Sequence, residues 1–399
     1  MARIAYLNTY GNGSTGKIVD LLKSLSLENG IDVRSYYSRE YCATPETSKR
    51  FYSKLGFYHD AFMTRIFDNH GLNSKGNTRR LIKDLEEYKP DIIHIHNLHG
   101  YWINYEMLFA YIKKANIKVV FTLHDCWSFT GHCTHFDFVK CEKWKTLCFS
   151  CPQKNMYPKG SLFDGSKSNY NKKKKAFLSL DKDNMVIITP STWLSEKVKE
   201  SFLNKYNCIV INNGVNIDIF KPTESDLRKR FGLEGKMVIL AVASYWDERK
   251  GLEYVLECAK AKPDWAFVYV GKEKVALGYS PNNLIHIDRT ESQKELAEWY
   301  STADVYFNPT LEDNYPTTNL EAIACGTPVV TFNTGGSPEI VLKTGFGVIV
   351  DKDVNSIING INKAVDEVYS TKKDKLDASL LASNTSFSKY IELYKALIK

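Results

Sequence analysis

Twelve short runs of β-branched and apolar residues, each bounded by turn residues, recur through this 399-residue chain and constrain its fold more than any other feature. In the first half they are Ile4–Leu7, Val33–Tyr37, Ile92–His96, Val119–Leu123, Val186–Thr189 and Ile209–Ile211. In the second they are Val238–Ala243, Ala266–Val270, Ile285–Ile287, Val305–Asn308, Val329–Phe332 and Val348–Val350. Several lack the alternation of a half-exposed strand, which is how strands covered on both faces read. Helical patterns lie between them, Ile18, Leu21, Leu22 and Leu25 in the first half and Leu252, Val255, Leu256 and Ala259 in the second, at i, i+3, i+4 and i+7. Strand runs alternating with helical patterns predict an α/β fold, and two such sets predict two doubly wound parallel-sheet domains.

Turn signals in INNGVNIDIFKP, Ile211 to Pro222, mark the hinge. The expected domains are 1–211, with a Cys-rich insertion at about 126–175, and 212–380. A last amphipathic segment, 381–399, carries Tyr390, Leu393, Tyr394 and Leu397 and reads as a terminal helix that packs back on the N-terminal domain.

Charge divides the same way. The net +7 of the chain hides 31 Lys and Arg against 20 Asp and Glu up to Ile211, and 22 against 26 after it. A basic first half implies a polyanionic partner. Nucleic acid is disfavoured, because there is no zinc-finger spacing, no aromatic RNP-like strand and no basic heptad region. An anionic membrane surface fits better, touched from outside: no apolar run approaches the ~20 residues that span a bilayer. MARIAYLNTYGNG holds too few apolar residues for a secretory signal, so the expected place is the cytoplasm, peripheral on the inner face of the plasma membrane. The lysines at 172–175 read as a solvated helix face that could also meet lipid headgroups.

GNGSTGKI, Gly11 to Ile18, follows the first strand and matches a phosphate-binding loop until Ile18 stands where Ser or Thr would hold magnesium. What survives is a glycine-rich approach to a helix N-terminus, with Gly13 and Ser14 offered to an anion or a sugar oxygen. Taken alone, the loop is equally a tight turn with Ser14 as N-cap.

The segment Asn308 to Val341, NPTLEDNYPTTNLEAIACGTPVVTFNTGGSPEIV, reads as strand, polar loop, short helix, strand and a second Gly-rich turn. Both loops lie at carboxyl ends of parallel strands and lead into helix N-termini, where pyrophosphate is a natural guest. Here the sequence resembles glycosyltransferase family 4, the retaining sugar-nucleotide transferases of GT-B fold, two Rossmann-like domains facing a cleft. The matching residues are Asp313 and Glu321 with seven residues between them, EAIACGTPVV, TGGSPEIV, NGVNIDIFKP, VASYWDERKG with Lys250, the loop GNGSTG and FTLHDCW with His124. The wording of HDCWSFTGHC and EDNYPTTNLEA is most similar to colanic-acid-type exopolysaccharide transferases.

The resemblance implies roles. Glu321 resembles the acid that binds the nucleotide ribose, and Asp313 occupies the place of the acid that faces the donor sugar. Lys250 resembles the lysine that neutralises the β-phosphate as it departs, and His124 would contact the donor sugar. Gly13 and Ser14 would close over the diphosphate, and Arg249, Asn314, Tyr315, Pro316, Thr317 and Thr318 would complete the donor site. Two positions depart from the family pattern: Asp313 is usually Glu, and Ser244 stands where an Arg is usual, a cation that Arg249 could replace. The implied reaction is transfer of a hexose from a UDP- or GDP-hexose, UDP slightly favoured, to a growing lipid-linked or oligosaccharide acceptor of a surface polysaccharide, with no catalytic cofactor. A nucleotide-sugar epimerase of the same fold and a non-catalytic sugar-nucleotide-binding protein are the alternatives. Residue by residue, simpler readings exist: Thr318 with Glu321 spells a helix capping box, and a lone His at a strand end is often structural.

Five cysteines crowd the insertion, and Cys133, Cys141, Cys148 and Cys151 have spacing that could hold a structural zinc, with reduced thiols as the alternative. In the same insertion, Trp127, Phe129, Trp144 and Tyr157 are candidates for sugar stacking or lipid contact.

Overall fold

The computed structural model describes residues 1–160, 162–274, 281–370 and 377–398. It divides into two compact units, Met1–Asn212 with the chain from Phe387 onward, and Asn213–Ser386. In the first unit the chain runs β1 (Arg3–Leu7), α1 (Gly13–Glu28), β2 (Asp32–Tyr37), β3 (Ser48–Arg50), α2 (Lys54–Phe67), α3 (Lys75–Tyr88), β4 (Ile92–Ile95), α4 (Tyr105–Ala115), β5 (Lys118–Thr122), α5 (Ser166–Phe177), β6 (Met185–Thr189), α6 (Thr192–Glu200) and β7 (Asn207–Val210). The strands pair in parallel in the order β3-β2-β1-β4-β5-β6-β7.

The second unit holds α7 (Leu227–Arg230), β8 (Val238–Trp246), α8 (Leu252–Ala261), β9 (Ala266–Glu273), β10 (Leu284–Ile287), α9 (Gln293–Thr302), β11 (Val305–Asn308), α10 (Thr317–Ala324), β12 (Val329–Phe332), α11 (Ser337–Thr344), β13 (Gly347–Val350) and α12 (Val354–Lys363). Its parallel order is β10-β9-β8-β11-β12-β13. The last helix, α13 (Ser383–Ile398), carries the chain back into the first unit from Phe387.

The missing alternation in the strand runs has the expected cause. On β1, Ala5 and Leu7 enter one apolar cluster with Ile93, Ile95 and Phe121, while Ile4 and Tyr6 enter another with Ile92, Val120 and Ile188. Both faces are covered, so both sets of side chains are apolar. The second cluster also contains Phe387, Tyr390 and Tyr394 of α13. Tyr394 Oη lies 2.6 Å from His94 Nδ1 and Tyr390 Oη 3.3 Å from Thr122 Oγ1, so the helix is held by directed bonds as well as by apolar area.

The structure departs from the sequence-based expectation at the lysine run and at the insertion aromatics. The run at 172–175 is not one solvated face: Lys173 points inward, its Nζ donating to the carbonyl oxygens of Trp127 (2.6 Å) and Thr130 (3.0 Å). The ammonium sits 3.6 Å from the centre of the Trp127 ring, and burial draws its pKa down to about 7. Trp127, Phe129 and Trp144 are fully buried, so they build the core of the insertion and cannot stack on sugar or touch lipid. Tyr157 alone of the four reaches solvent.

Candidate functional site

In the second unit three neighbouring strands, β8, β11 and β12, end side by side, and the loops that follow them gather the expected donor residues. After β8 a 3-10 turn, Glu248–Lys250, presents Lys250, whose Nζ donates to Asp313 Oδ2 at 2.7 Å. The turn is held against the loop after β11, where Leu311 N donates to Arg249 O at 2.7 Å. Gly251 makes this approach possible: at φ +70°, a Cβ there would stand 2.2 Å from Pro309 O. Gly335, after β12, is under the same constraint from Asp313, whose carbonyl oxygen would lie 1.8 Å from an added Cβ.

The N-termini of α10 and α11 open beside these loops, and neither has a side-chain cap. Their first-turn N–H groups and dipoles favour an anion. The capping-box explanation of Glu321 fails, because the N-cap of α10 is Pro316 rather than Thr318. Glu321 Oε2 instead accepts from Tyr300 Oη at 3.1 Å, and burial together with this carboxylate keeps the Tyr300 hydroxyl protonated far above its ordinary range.

A buried polar chain that the sequence did not reveal locks the two helices to the sheet. Asn308 Nδ2 donates to Asn319 Oδ1 (2.8 Å), Asn319 Nδ2 to Ser337 Oγ (2.9 Å), and Ser337 Oγ meets Thr331 Oγ1 (2.8 Å). It links β11, α10, α11 and β12, and each member is an unremarkable polar residue until the strand order is known.

Of the remaining expected donor residues, Thr317 and Thr318 are half-buried in the first turn of α10, and Pro316 and Asn314 are buried. The Tyr315 side chain belongs to the core, so only its backbone can meet a ligand. The Arg249 guanidinium pairs with Asp247 (3.2 Å) and Glu312 (3.8 Å).

In the first unit the corresponding loops follow β1, β4 and β5, again adjacent strands. Gly13 begins α1 at φ +73°, and Asn12, not Ser14, is the N-cap, its side chain accepting from Gly13 N at 2.8 Å. Ser14 is exposed on the first turn. His124 Nε2 lies 2.9 Å from His96 Nδ1, with the rings stacked at 5.2 Å. His99 Nε2 lies 2.9 Å from Asp125 Oδ2 and its Nδ1 3.1 Å from Tyr157 Oη. His96, His99 and Asp125 were passed over in the sequence; the signal was the string HIHNLHG, whose meaning depends on β4 lying beside β5.

Burial lowers the pKa of His124 to about 4 and holds His70, His94 and His96 well below the usual histidine range. All four are neutral at pH 7. An unfolded chain would protonate them below about pH 6.5, so the unfolded state binds more protons and folding stability falls as pH drops from about 6.5 towards 4. His124 alone contributes roughly 3 kcal/mol to that loss. His132 opposes the trend: Asp68, 2.5 Å away, raises its pKa against the lowering effect of burial, and that contribution is lost only as pH rises. The melting temperature is therefore expected to fall steadily from pH 7 to pH 4.5, and a flat profile would contradict the buried neutral state.

The cysteine insertion does not bear out a zinc site. Cys133, Cys141, Cys148 and Cys151 line one small cavity with His132 and Trp144, but among the described residues no three His, Cys, Asp or Glu side chains converge as a metal ion requires. Cys148 Sγ instead accepts from Gly131 N at 3.2 Å. None of the nine cysteines forms a disulfide.

Among the described residues no helix is long and apolar enough to cross a membrane. The structure resembles, over the whole chain, sucrose-phosphate synthase from Thermosynechococcus elongatus (TM-score 0.72, 16% identity, 100% of this chain and 99% of that one). It also resembles Anabaena HepE solved with UDP (TM-score 0.67, 14% identity, 99% of this chain and 100% of that one). These likenesses establish the GT-B fold. In sequence, a putative colanic acid biosynthesis glycosyl transferase, WcaC of Escherichia coli K12, is 26% identical over 279 residues, 67% of this chain and 66% of WcaC. D-inositol 3-phosphate glycosyltransferase of Mycolicibacterium smegmatis is 28% identical over 171 residues, 39% of each chain. The match thus spans about two thirds of the first relative and well under half of the second. Residues 236–367 match the family model for glycosyl transferases group 1, and residues 18–219, half of the chain, match that for glycosyltransferase family 4. The chain belongs to glycosyltransferase family 4.

Proposed function

We propose that this protein transfers a hexose, with retention of configuration, from a UDP- or GDP-hexose to a growing, lipid-linked or oligosaccharide acceptor of a surface polysaccharide. The observation that carries the reading is the Lys250–Asp313 pair beside two uncapped helix N-termini. As the bond from the sugar to the diphosphate breaks, negative charge grows on the departing phosphate and positive charge on the sugar ring. Lys250 and the first turns of α10 and α11 supply fixed positive potential for the phosphate, typically the largest catalytic contribution. Asp313 orients Lys250 and offers oxygens to sugar hydroxyls. Glu321, held by Tyr300, takes the ribose hydroxyls. The family resemblance gives His124, held by His96, the contact with the donor sugar, and gives Gly13 and Ser14 at the start of α1 the diphosphate.

UDP is the favoured nucleotide because HepE was solved with it, and the likeness to WcaC favours an exopolysaccharide product. The basic first half and the lipid-linked acceptor favour work on the cytoplasmic face of the plasma membrane, in peripheral contact with anionic lipid. Incubation with a panel of UDP- and GDP-hexoses tests the donor reading. One donor is expected to release its nucleoside diphosphate, with water standing in for the acceptor and the hexose first appearing in the donor's anomeric configuration, by proton NMR. Release of an isomerised nucleotide sugar would identify an epimerase instead, and no turnover of any donor would favour a binding protein.

A further inference from the structure

Helix α2 is amphipathic in the wrong sense for a surface helix. Its inward side is polar: Asp60 and Thr64 are fully buried, and Asp60 accepts from Thr64 Oγ1 (3.3 Å), Asn73 Nδ2 (3.2 Å) and the Ser74 hydroxyl. Its outward side is apolar: Leu55, Tyr58 and Phe62 are 84%, 60% and 61% exposed. At 3.6 residues per turn these three form one stripe, opposite Asp60 and Thr64. A surface helix ordinarily places such a stripe against the core.

A second exposed apolar group lies at the C-terminal end of the same helix. Phe163 N donates to Ile66 O (3.1 Å) and Gly165 N to Asp68 Oδ2 (2.9 Å), which latches the loop Leu162–Gly165 to the C-terminal end of α2. Phe67 and Phe163 stack at 5.8 Å with both rings about half exposed, and Leu162 beside them is 67% exposed. Exposed apolar side chains aligned on one helix face, as Leu55, Tyr58 and Phe62 are, mark an interaction site.

Charge selects the partner. The exposed ionisable residues of α2 are Lys54, His59 and Arg65, and the only acid of the helix is the buried Asp60. In the latched loop the one carboxylate, Asp164, is engaged by the backbone N–H groups of Cys151 (2.5 Å) and Ser166 (2.9 Å). Apolar side chains flanked by cations and free of unengaged carboxylates are the chemistry of an interfacial helix on anionic lipid.

We propose that the outward face of α2 is the surface by which this protein docks on an anionic lipid bilayer. The proposal rests on the membrane contact put forward above and names the residues that make it. On docking, Leu55, Tyr58 and Phe62 enter the boundary between headgroups and acyl chains while Lys54 and Arg65 stay at phosphate level.

Sedimentation with phosphatidylcholine vesicles, with and without phosphatidylglycerol, tests it on the full chain. Wild-type protein is expected to bind the phosphatidylglycerol vesicles and to be released by salt. The triple variant Leu55→Ser, Tyr58→Ser, Phe62→Ser is expected to bind at least ~10-fold more weakly, with melting temperature and UDP binding unchanged because all three side chains are exposed. Arg65→Glu is expected to weaken binding to phosphatidylglycerol vesicles and leave the weak phosphatidylcholine binding as it was. If the triple variant binds like wild type, this surface is wrong while the membrane contact stands. If wild type binds neither vesicle, both fall, and UDP binding still reports separately on the donor site. A dimer in solution that the triple variant dissociates, with vesicle binding unaltered, would mean that a second copy covers the stripe and would also overturn the proposal.

Discussion

Lys250→Ala is expected to lower turnover by about 10²–10³-fold, the cost of removing one preorganised donor from a developing oxyanion. Stability should barely move. The Lys250–Asp313 pair is partly exposed, 30% and 24% at the two side chains, and such pairs contribute ~0–1 kcal/mol. Turnover should fall while the Michaelis constant changes less, because the lysine acts most strongly on charge that appears only in the transition state. Lys250→Arg keeps the charge but not the compact ammonium that fits against Asp313, and is expected to restore only part of the rate. Near-normal turnover in Lys250→Ala would remove the lysine from the chemistry.

Gly335→Ala is the second large effect, and it acts without touching a charge. Gly335 has φ +56°, and a methyl group there would stand 1.8 Å from the carbonyl oxygen of Asp313. The backbone of one loop or the other has to move. Since misplacement of a reacting group by ~1 Å costs on the order of 10²-fold, turnover is expected to fall by about that factor. The left-handed backbone adds roughly 1–3 kcal/mol of strain, so the melting temperature should drop as well. Gly76→Ala is the control: nothing lies within 4 Å of its Cβ position on α3, and alanine should be neutral or mildly stabilising there. Kinetics and melting curves on both variants check this; unchanged turnover in Gly335→Ala would mean that the Asp313 loop is not part of the working site.

Much of the fold was legible because parallel strands buried on both faces leave an unmistakable apolar run. All twelve runs are strands, and among the described residues the one strand that escaped, β3, is Ser-Lys-Arg at a sheet edge, with no apolar residue to announce it. Lys250, Asp313 and Glu321 could be picked out because their motifs are local, but the bond that joins the first two follows from β8 lying beside β11. The same holds for His96 beside His124 and for the Asn308–Asn319–Ser337–Thr331 chain: long-range partners, set by strand order, in residues that carry no individual signal.

Burial was the other blind spot. Trp127 and Trp144 have the chemistry of sugar platforms, yet they fill a core, while Lys173 leaves a run of exposed lysines to cap two carbonyl groups inside. Helix α2 shows the converse, since a period of apolar residues tells which side chains share a face but not whether that face looks inward. Its polar side is turned in because Asn73 and Ser74 supply Asp60 with donors.

The central claim is that a nucleoside diphosphate is held by Glu321, Lys250 and the starts of α10 and α11. Calorimetric titration with UDP and GDP tests it most directly, using wild type, Glu321→Ala and Lys250→Ala. Wild type is expected to bind one of the two nucleotides, and each variant to bind it at least ~10-fold more weakly, about 1.4 kcal/mol, with the fold intact by melting temperature. Undiminished binding in Glu321→Ala, or no binding of either nucleotide to wild type, would contradict it.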